Sequence, residues 1–386
     1  MGTSVGQVFG VALRLGVTSF GGPIAHLGYF RQEYVVRRRW LSEEAYAEVV
    51  AVSQVLPGPA SSQVGFAVGM TQRGLVGGLA AWLGFTLPSA LVMAGFAVLA
   101  ATGRFDDALW LAALKLVAVP VVLHAVVGMG RRLAATGRTA TLAVLTFVAI
   151  LLVPSPATQV VALAVAAVLG VALLRDVAPV GPAELPLRLG RRWGAVALIG
   201  FAAMLVMLPL LAATGPLAEV AAVHYRAGAL VFGGGHVVLP LLQEQVVPGT
   251  VDDTTFLAGY GVAQAVPGPL FTFGTYLGQV MAGVPGAVVA TVFIFLPGFL
   301  LLLGVLPFWS AVRTDRRVSS ALVGVNAAVV GVLAAALYDP IMTTTLVGPV
   351  EVVLAAALYL ALALGKAPPW LVVLGAVLAS PLLALG

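Results

Sequence analysis

Hydrophobic positions fill most of the chain in long runs, and short polar loops separate these runs. The apolar segments, in order, are residues 7–30, 45–70, 75–101, 108–129, 139–153, 157–174, 194–213, 217–242, 256–282, 286–306, 319–338, 346–364 and 369–385. A helix needs about 20 predominantly apolar residues to cross a bilayer. The pattern therefore predicts an all-α integral membrane protein.

Two motifs that interrupt these runs occur twice. FGGP at Phe20–Pro23 returns as FGGG at Phe232–Gly235, and QVLPGP at Gln54–Pro59 returns as QAVPGP at Gln264–Pro269. The two pairs are separated by almost the same stretch of chain, which indicates a duplication. We predict a first repeat at 1–175, a linker with a single inverting transmembrane helix at 176–214, and a second, inverted repeat at 215–386.

The motifs also divide the first two segments of each repeat into arms of about 12 residues. At 1.5 Å per residue such an arm reaches about 18 Å, near the middle of a bilayer. Gly supplies the turn conformations, and Pro cannot continue a helical hydrogen-bond ladder. We therefore predict four broken or re-entrant helical hairpins and nine full spans. Kinked full crossings are the alternative, and residues 7–30 could also form one tilted span.

The distribution of basic residues favours the hairpins. If every segment crosses once, the loop 130–138, with three Arg, lies on the opposite side from the basic loop Arg31–Glu44, against the positive-inside rule. With hairpins, 16 of the 20 basic residues fall on one side, which we predict to be cytoplasmic. The loops on that side are 31–44, 71–74, 130–138, 175–193, 307–318 and 365–368.

Composition narrows the class of protein further. The chain is 61% hydrophobic and 9% charged and has no cysteine, which excludes disulfides and thiolate chemistry. It carries no G-x-x-x-x-G-K-[ST] motif for ATP and no H-E-x-x-H or G-x-S-x-G motif. An intramembrane lipid-handling enzyme would need an acid, base or nucleophile cluster at the breaks, and the sequence offers none there. We therefore predict a transporter without a cofactor or a metal site.

Matching breaks in two inverted halves indicate where a transporter binds its substrate. A half-helix N-terminus offers free N–H groups and a partial positive charge, which suits an anion, and Gly lets backbone approach it closely. Simple shaping of close-packed helices is the alternative. The predicted substrate-binding residues are Arg14, Gly21, Gly22, Gln54, Pro57, Gly58, Pro59, Ser61 and Ser62 in the first repeat, and Arg226, Gly233, Gly234, Gln264, Pro267, Gly268, Pro269 and Thr272 in the second.

The two arginines occupy equivalent positions, each six residues before its Phe-Gly-Gly motif. Charge within a membrane is costly and usually functional, and the arginine fork suits tetrahedral oxyanions. Gating salt bridges or snorkelling to the interface are the alternatives. For gating or proton relay the candidates are Glu33, Glu244, His26, His236 and Lys115.

FGGP, the basic Glu-containing loop Arg31–Glu44 and Q-x-x-P-G-P together resemble the chromate ion transporter (CHR) family in its long two-domain form. The second copy departs from the first because Gly235 stands where the first has Pro23, and its following loop is acidic. The resemblance implies a multi-pass protein of a bacterial or archaeal inner membrane that exports chromate, with proton-linked exchange. A sulfate carrier or a passive oxyanion channel stays open.

The expected partners are a chromate- or sulfate-like dianion and the lipid bilayer, and no basic tail suggests nucleic acid. A homodimer is left open. Chromate is an oxyanion, so its chromium needs no ligand cluster on the protein.

Overall fold

A computed structural model describes residues 3–20, 22–101, 109–174, 189–232, 237–247, 249–309, 314–365 and 367–385, which are mostly helical and contain no β-strand. The α-helices are α1 (Val5–Thr18), α2 (Gly22–Phe30), α3 (Glu43–Val55), α4 (Ala60–Ala100), α5 (Leu109–Leu133), α6 (Gly137–Leu152), α7 (Pro156–Leu173), α8 (Arg191–Leu211), α9 (Pro216–Leu230), α10 (Val238–Val246), α11 (Asp253–Ala265), α12 (Phe273–Val305), α13 (Arg316–Ala336), α14 (Thr343–Thr345), α15 (Pro349–Ala363) and α16 (Pro369–Leu378). Residues Arg31–Arg37 and Leu337–Met342 are π-helical, and short 3₁₀ turns lie at Ala212–Thr214, Leu270–Thr272, Leu306–Phe308 and Ser380–Leu385.

Local sequence explains where the first helices begin. Ser4 accepts from the Gln7 backbone N–H while the Gln7 side chain accepts from the Ser4 N–H, which forms a capping box on α1. Ser42 caps α3 by accepting from Ala45 at 3.2 Å, and Glu43 and Glu44 complement the helix dipole in the first turn.

The PGP motifs interrupt the helices as predicted. The chain leaves α3 at Val55 and enters α4 at Ala60, and it leaves α11 at Ala265 and re-enters a helical turn at Leu270. The α3 arm has 13 residues, or about 20 Å, which is less than the ~30 Å hydrocarbon core. These are therefore broken half-helices.

A second break folds α4 back on itself. Arg73 and Gly74 have non-helical backbone angles, and Gly74 has φ +59°. A Cβ at Gly69 would contact the carbonyl of Gly77, although a straight helix would hold these two residues about 12 Å apart. α4 therefore consists of two arms, α4a (60–72) and α4b (75–100), joined by a tight turn.

Hydrogen bonds settle which ends of the first repeat share a face. The Gln72 side-chain amide donates to the carbonyl of Trp40 at 3.3 Å, and the Thr3 hydroxyl donates to Gln72 Oε1 at 3.1 Å. Arg73 Nε also donates to the Thr3 carbonyl. If every segment crossed once, residues 3, 40 and 72 would alternate between faces. Their contact confirms that FGGP and VLPGP each turn a hairpin back to the face that it left.

The duplication is visible in the backbone. Gly74 and Gly283 have φ +59° and +62°, each at a tight helix turn in the equivalent place of its repeat. The second turn divides α12 into α12a (273–281) and α12b (284–305). A Cβ at Gly16 would meet the Phe85 carbonyl, and a Cβ at its counterpart Gly228 would meet the Ile294 carbonyl. The two repeats therefore share their helix contacts as well as their motifs.

The later helices differ from the prediction of nine full spans. Five described stretches are long and apolar enough to cross a membrane: Ala60–Ala100, Ala112–Leu133, Arg191–Thr214, Leu270–Phe308 and Arg316–Thr345. By contrast α15 and α16 have 15 and 10 residues and are shorter than the predicted segments 346–364 and 369–385. Proline begins both helices, and a helix rarely continues upstream through a proline. The helices α6 and α7, with 16 and 18 residues, are as long as predicted.

Two compact units divide the helices, and each draws on both sequence repeats. The first unit comprises Met1–Val98, Val180–Gly235 and Val266–Thr314. The second unit comprises Leu99–Pro179, His236–Ala265 and Asp315–Gly386. The first unit contains FGGP and the PGP residues of both repeats. The boundaries of the two compact units therefore do not coincide with the predicted boundaries of the two repeats.

Candidate functional site

The two PGP loops, Pro57–Pro59 and Pro267–Pro269, dock reciprocally within the first unit. The backbone N–H of Gly58 donates to the carbonyl of Val231 at 2.7 Å, and that of Gly268 donates to the carbonyl of Ser19 at 3.0 Å. Ser19 and Val231 are equivalent, since each immediately precedes a Phe-Gly-Gly motif. Each repeat thus places its PGP loop against the broken segment of the other repeat.

This docking requires glycine at both loops. Gly58 has φ +117° and Gly268 has φ +102°, where side chains are rarely accommodated. A Cβ would lie 2.9 Å from the Cα of Gly298 at the first loop and 2.8 Å from Ser89 Oγ at the second. Ser89 and Gly298 are themselves equivalent positions of the two repeats. Because neither glycine has a side chain, the two repeats can come into close contact at both loops.

Gln63 ties the first loop to α12b and was not predicted from the sequence. It is fully buried, and its amide nitrogen donates to the carbonyl of Pro57 at 3.0 Å and to that of Gly298 at 2.9 Å. The available signal was a polar side chain within an apolar segment, four residues after the last proline of the PGP motif. Phe273 is its counterpart in the second repeat, so this bridge exists once in the described residues.

Several polar side chains around the docked loops are buried without a hydrogen-bond partner among the described residues. These atoms are Ser19 Oγ, His26 Nε2, Ser62 Oγ, Gln63 Oε1 and Thr86 Oγ1. His26 Nδ1 lies 3.3 Å from Ser61 Oγ, and its ring meets Phe85 edge-on at 5.3 Å. Buried polar atoms usually have partners, so such a group suits a polar ligand.

The N-terminus of α4 adds donors to this group. Pro59 precedes the helix and has no side-chain acceptor to cap it, and the N–H of Gln63 donates to the Pro59 carbonyl at 2.9 Å. The N–H groups of Ala60, Ser61 and Ser62 therefore lie in the uncapped first turn, at the positive end of the helix dipole. Free N–H groups and the Ser62 hydroxyl together can bind an anion.

The second loop offers fewer free groups. The Thr272 hydroxyl donates to the Pro269 carbonyl at 2.9 Å and is buried. Gln264 belongs to the second unit, and its buried amide nitrogen has no partner among the described residues. Gln54 is exposed, and Pro57 and Pro267 are half-buried. The two copies are therefore alike in backbone and unlike in chemistry.

Arg14 lies at the edge of an ion-pair cluster. The buried carboxylate of Glu33 accepts from Arg38 Nε at 2.7 Å and from Arg37 at 3.4 Å, and Arg14 lies 3.7 Å away. Burial opposes ionisation of Glu33, but the Arg38 hydrogen bond and the charges of the three arginines hold its pKa below the ordinary value. Arg14 is thus engaged by Glu33.

The remaining predicted residues belong to different units and are described separately. Arg226 is half-buried in α9, and no carboxylate of the described residues lies within ion-pair distance of it. Lys115 on α5 and Glu244 on α10 belong to the second unit, and both are half-buried. Gly22 begins α2 with φ +76°.

Four predicted positions lie outside the described residues. They comprise glycines of the two Phe-Gly-Gly motifs and the histidine that follows the second copy, namely Gly21, Gly233, Gly234 and His236. Their roles stay predictions.

Comparison with known proteins supplies the family context for this geometry. A family model described as "Chromate transporter" matches residues 6–171 and 218–380, so it covers both repeats. A protein named "Chromate transport protein" from Pseudomonas aeruginosa is 31% identical over 343 residues, which is 86% of this chain and 80% of that protein.

Two further relatives have similar coverage. A "Probable chromate transport protein" from Synechococcus elongatus is 30% identical over 86% of this chain and 84% of its own length. A "Chromate transport protein" from Cupriavidus metallidurans is 28% identical over 84% of this chain and 79% of its own length. No solved structure matches the chain.

Proposed function

The chain belongs to the chromate transporter family, and from that premise we propose that it is a secondary transporter that exports chromate from the cytoplasm. The energy comes from an ion or proton gradient, since the sequence has no nucleotide-binding motif. Its place is the inner membrane of a bacterial or archaeal cell, with the basic loops on the cytoplasmic side.

The observation that carries this proposal is the reciprocal docking of the PGP loops beside buried, unpartnered polar atoms. The uncapped first turn of α4 gives the anion N–H donors and a positive dipole end. Ser62 donates its free hydroxyl, and Ser61 positions His26. On the second copy Thr272 adds a hydroxyl that can exchange its bond to Pro269 for one to the anion. Gln264 stays a candidate from its sequence position alone.

Duplication supplies a route for alternating access. In inverted repeats, a substrate at the repeat interface can be exposed to either side as one packing exchanges for the other. Here Gly58 and Gly268 are hydrogen-bonded to opposite repeats by equivalent bonds. We propose that breaking one of these docking contacts while keeping the other opens the site to one side.

Charged and titratable side chains have three roles in this scheme: charge compensation, gating and proton relay. Arg226, which has no carboxylate partner in the described chain, provides the compensating charge for a dianion. Glu33 and Arg14 act as a gating pair at the face of the basic loop, and Glu244 is the gating candidate of the second repeat. His26, His236 and Lys115 are the candidates for proton relay.

Sulfate is the alternative substrate because it has the same tetrahedral shape and charge, and the same donors would bind it. Chromate and sulfate transport can be distinguished by reconstituting the purified protein in liposomes. The measurement is the uptake of radiolabelled chromate and of radiolabelled sulfate, with and without a pH gradient. The proposal expects chromate uptake that the gradient accelerates. Uptake of neither anion, or the same uptake in liposomes without protein, would contradict it.

A further inference from the structure

The first unit has an open polar depression in its surface, called the cavity below, on the face where Thr3, Trp40 and Gln72 meet. Its volume is about 510 Å³, and Thr3, Gln7, Arg37, Arg38 and Trp40 line it. Every one of these side chains can donate a hydrogen bond, and none is a carboxylate. A water occupies about 30 Å³ of liquid, so a hydrated tetrahedral anion fits.

The wall of this cavity is held in place by several contacts. Trp40 stacks on Tyr34 with ring centroids 5.5 Å apart, and the Trp40 backbone N–H donates to the Tyr34 carbonyl at 2.7 Å. The Trp40 carbonyl accepts from Gln72, and the guanidinium of Arg38 lies 5.5 Å from the indole centroid. The cavity is therefore built on an ordered indole and on the turn of α4.

A carboxylate lies behind the two cavity arginines. Glu33 binds both Arg37 and Arg38, and its side chain is only 8% exposed while that of Arg37 is 57% exposed. The guanidinium of Arg37 is therefore accessible from the cavity while Glu33 engages one of its N–H donors. An oxyanion in the cavity would compete with Glu33 for the same N–H donors.

We propose that this cavity is a vestibule site, where a tetrahedral oxyanion from the cytoplasm binds Arg37 and Arg38 in competition with Glu33 before it reaches the PGP loops. The vestibule rests on the proposed transport function for its direction and its substrate. Phosphate in a lipid headgroup shares this chemistry, and we assign the site to the free anion.

Equilibrium dialysis of purified protein with radiolabelled chromate, in a neutral detergent, counts the sites. The wild type should bind two anions per chain, and Arg37→Gln with Arg38→Gln should bind one. The affinity at the vestibule should fall at least about tenfold in either single variant, as expected for losing one charge-assisted bond. Glu33→Gln should tighten the vestibule site because it removes the competitor.

Arg39→Gln is the matched control, since Arg39 carries the same charge in the same loop but does not line the cavity. It should retain both sites. If Arg39→Gln loses as much anion binding as the double variant, binding depends on the total positive charge of the loop, and the proposal is overturned. An unchanged count in the double variant, or weaker binding in Glu33→Gln, would also overturn it.

Two comparisons separate this inference from its premises. Gly268→Val should lose transport but keep the vestibule anion. If the wild type binds only one anion, and the double variant loses that anion, the result supports the vestibule and contradicts the PGP site. Nanodiscs of phosphatidylcholine and of phosphatidylglycerol should give the same count. A vestibule anion that disappears in the anionic lipid identifies a headgroup site and contradicts the assignment.

Discussion

The two PGP loops have similar backbone conformations, but the residues that follow them differ. Their central glycines have φ +117° and +102°, and both donate to the residue before the opposite Phe-Gly-Gly motif. The first loop is followed by Ser61, Ser62 and Gln63, and the second by Phe271, Thr272 and Phe273. Docking therefore depends on backbone geometry that duplication preserved. Polar chemistry is concentrated in the first loop, where we expect most of the substrate contacts.

The largest expected effect tests the shared backbone. Gly58→Val and Gly268→Val should each reduce chromate uptake in liposomes to background, because either side chain meets the opposite repeat at a distance below 3.0 Å. Strain at positive φ should also lower stability by roughly 1–3 kcal/mol. Gly74→Val is the control, since Gly74 also has positive φ but a Cβ there meets nothing within 4 Å. Equal uptake in all three variants would show that docking is irrelevant.

A second comparison concerns the equivalent arginines. Arg226→Ala should lower uptake about a hundredfold, since two charge-assisted hydrogen bonds contribute about 3 kcal/mol. Arg14→Ala should have a smaller effect, because Glu33 already engages Arg14. Lys at either position should restore little, since it lacks the paired donors. Normal uptake by both alanine variants, measured with matched expression, would mean that the arginines only snorkel.

The hydroxyls of Ser62 and Thr272 differ in their hydrogen bonding, and this difference predicts a smaller effect on chromate uptake. Ser62→Ala should lower uptake several-fold, because it removes an unpartnered buried donor while the helix N–H groups remain. Thr272→Val should change the rate by less, since the Thr272 hydroxyl already bonds Pro269. The measurement is the initial rate of uptake across a range of chromate concentrations. A larger effect of Thr272→Val would reverse the assignment of substrate contacts to the first loop.

The smallest effect concerns the pH dependence of the Glu33 cluster. The pKa of Glu33 is lowered in the folded protein, so ionised Glu33 stabilises the fold above its unfolded pKa. This contribution is lost as the pH falls through the lowered pKa. Glu33→Gln should therefore melt at a lower temperature than wild type at pH 7, with the difference shrinking below about pH 4. A difference that is constant with pH would exclude an electrostatic origin.

The breaks, the repeat and the hairpins of the first repeat were predictable from the sequence because they depend on local chemistry. Gly and Pro at Phe20–Pro23 and Gln54–Pro59 end helices wherever they occur. The excess of arginine on one side then selected hairpins over crossings, which the Thr3–Gln72–Trp40 hydrogen bonds confirm.

The reciprocal docking could not be predicted in this way. The bond from Gly58 to Val231 joins residues of different repeats, and no periodicity within either segment encodes the partner. The same holds for Gln63, whose role depends on the Gly298 carbonyl of a distant helix. The lengths of α15 and α16 were overestimated because hydropathy measures apolar runs and does not register where a helix starts or stops.

The most direct test of the PGP site is chromate-dependent thermal stabilisation of purified protein, since a ligand that binds only the folded state raises its melting temperature. Wild type and Gly74→Val should gain the same stabilisation, and Ser62→Ala should gain less. Gly58→Val and Gly268→Val should gain only what the Arg37 and Arg38 vestibule provides, so adding Arg37→Gln and Arg38→Gln should remove the remainder. Undiminished stabilisation in Gly58→Val and Gly268→Val on the vestibule-deficient background would contradict a substrate site at the docked PGP loops.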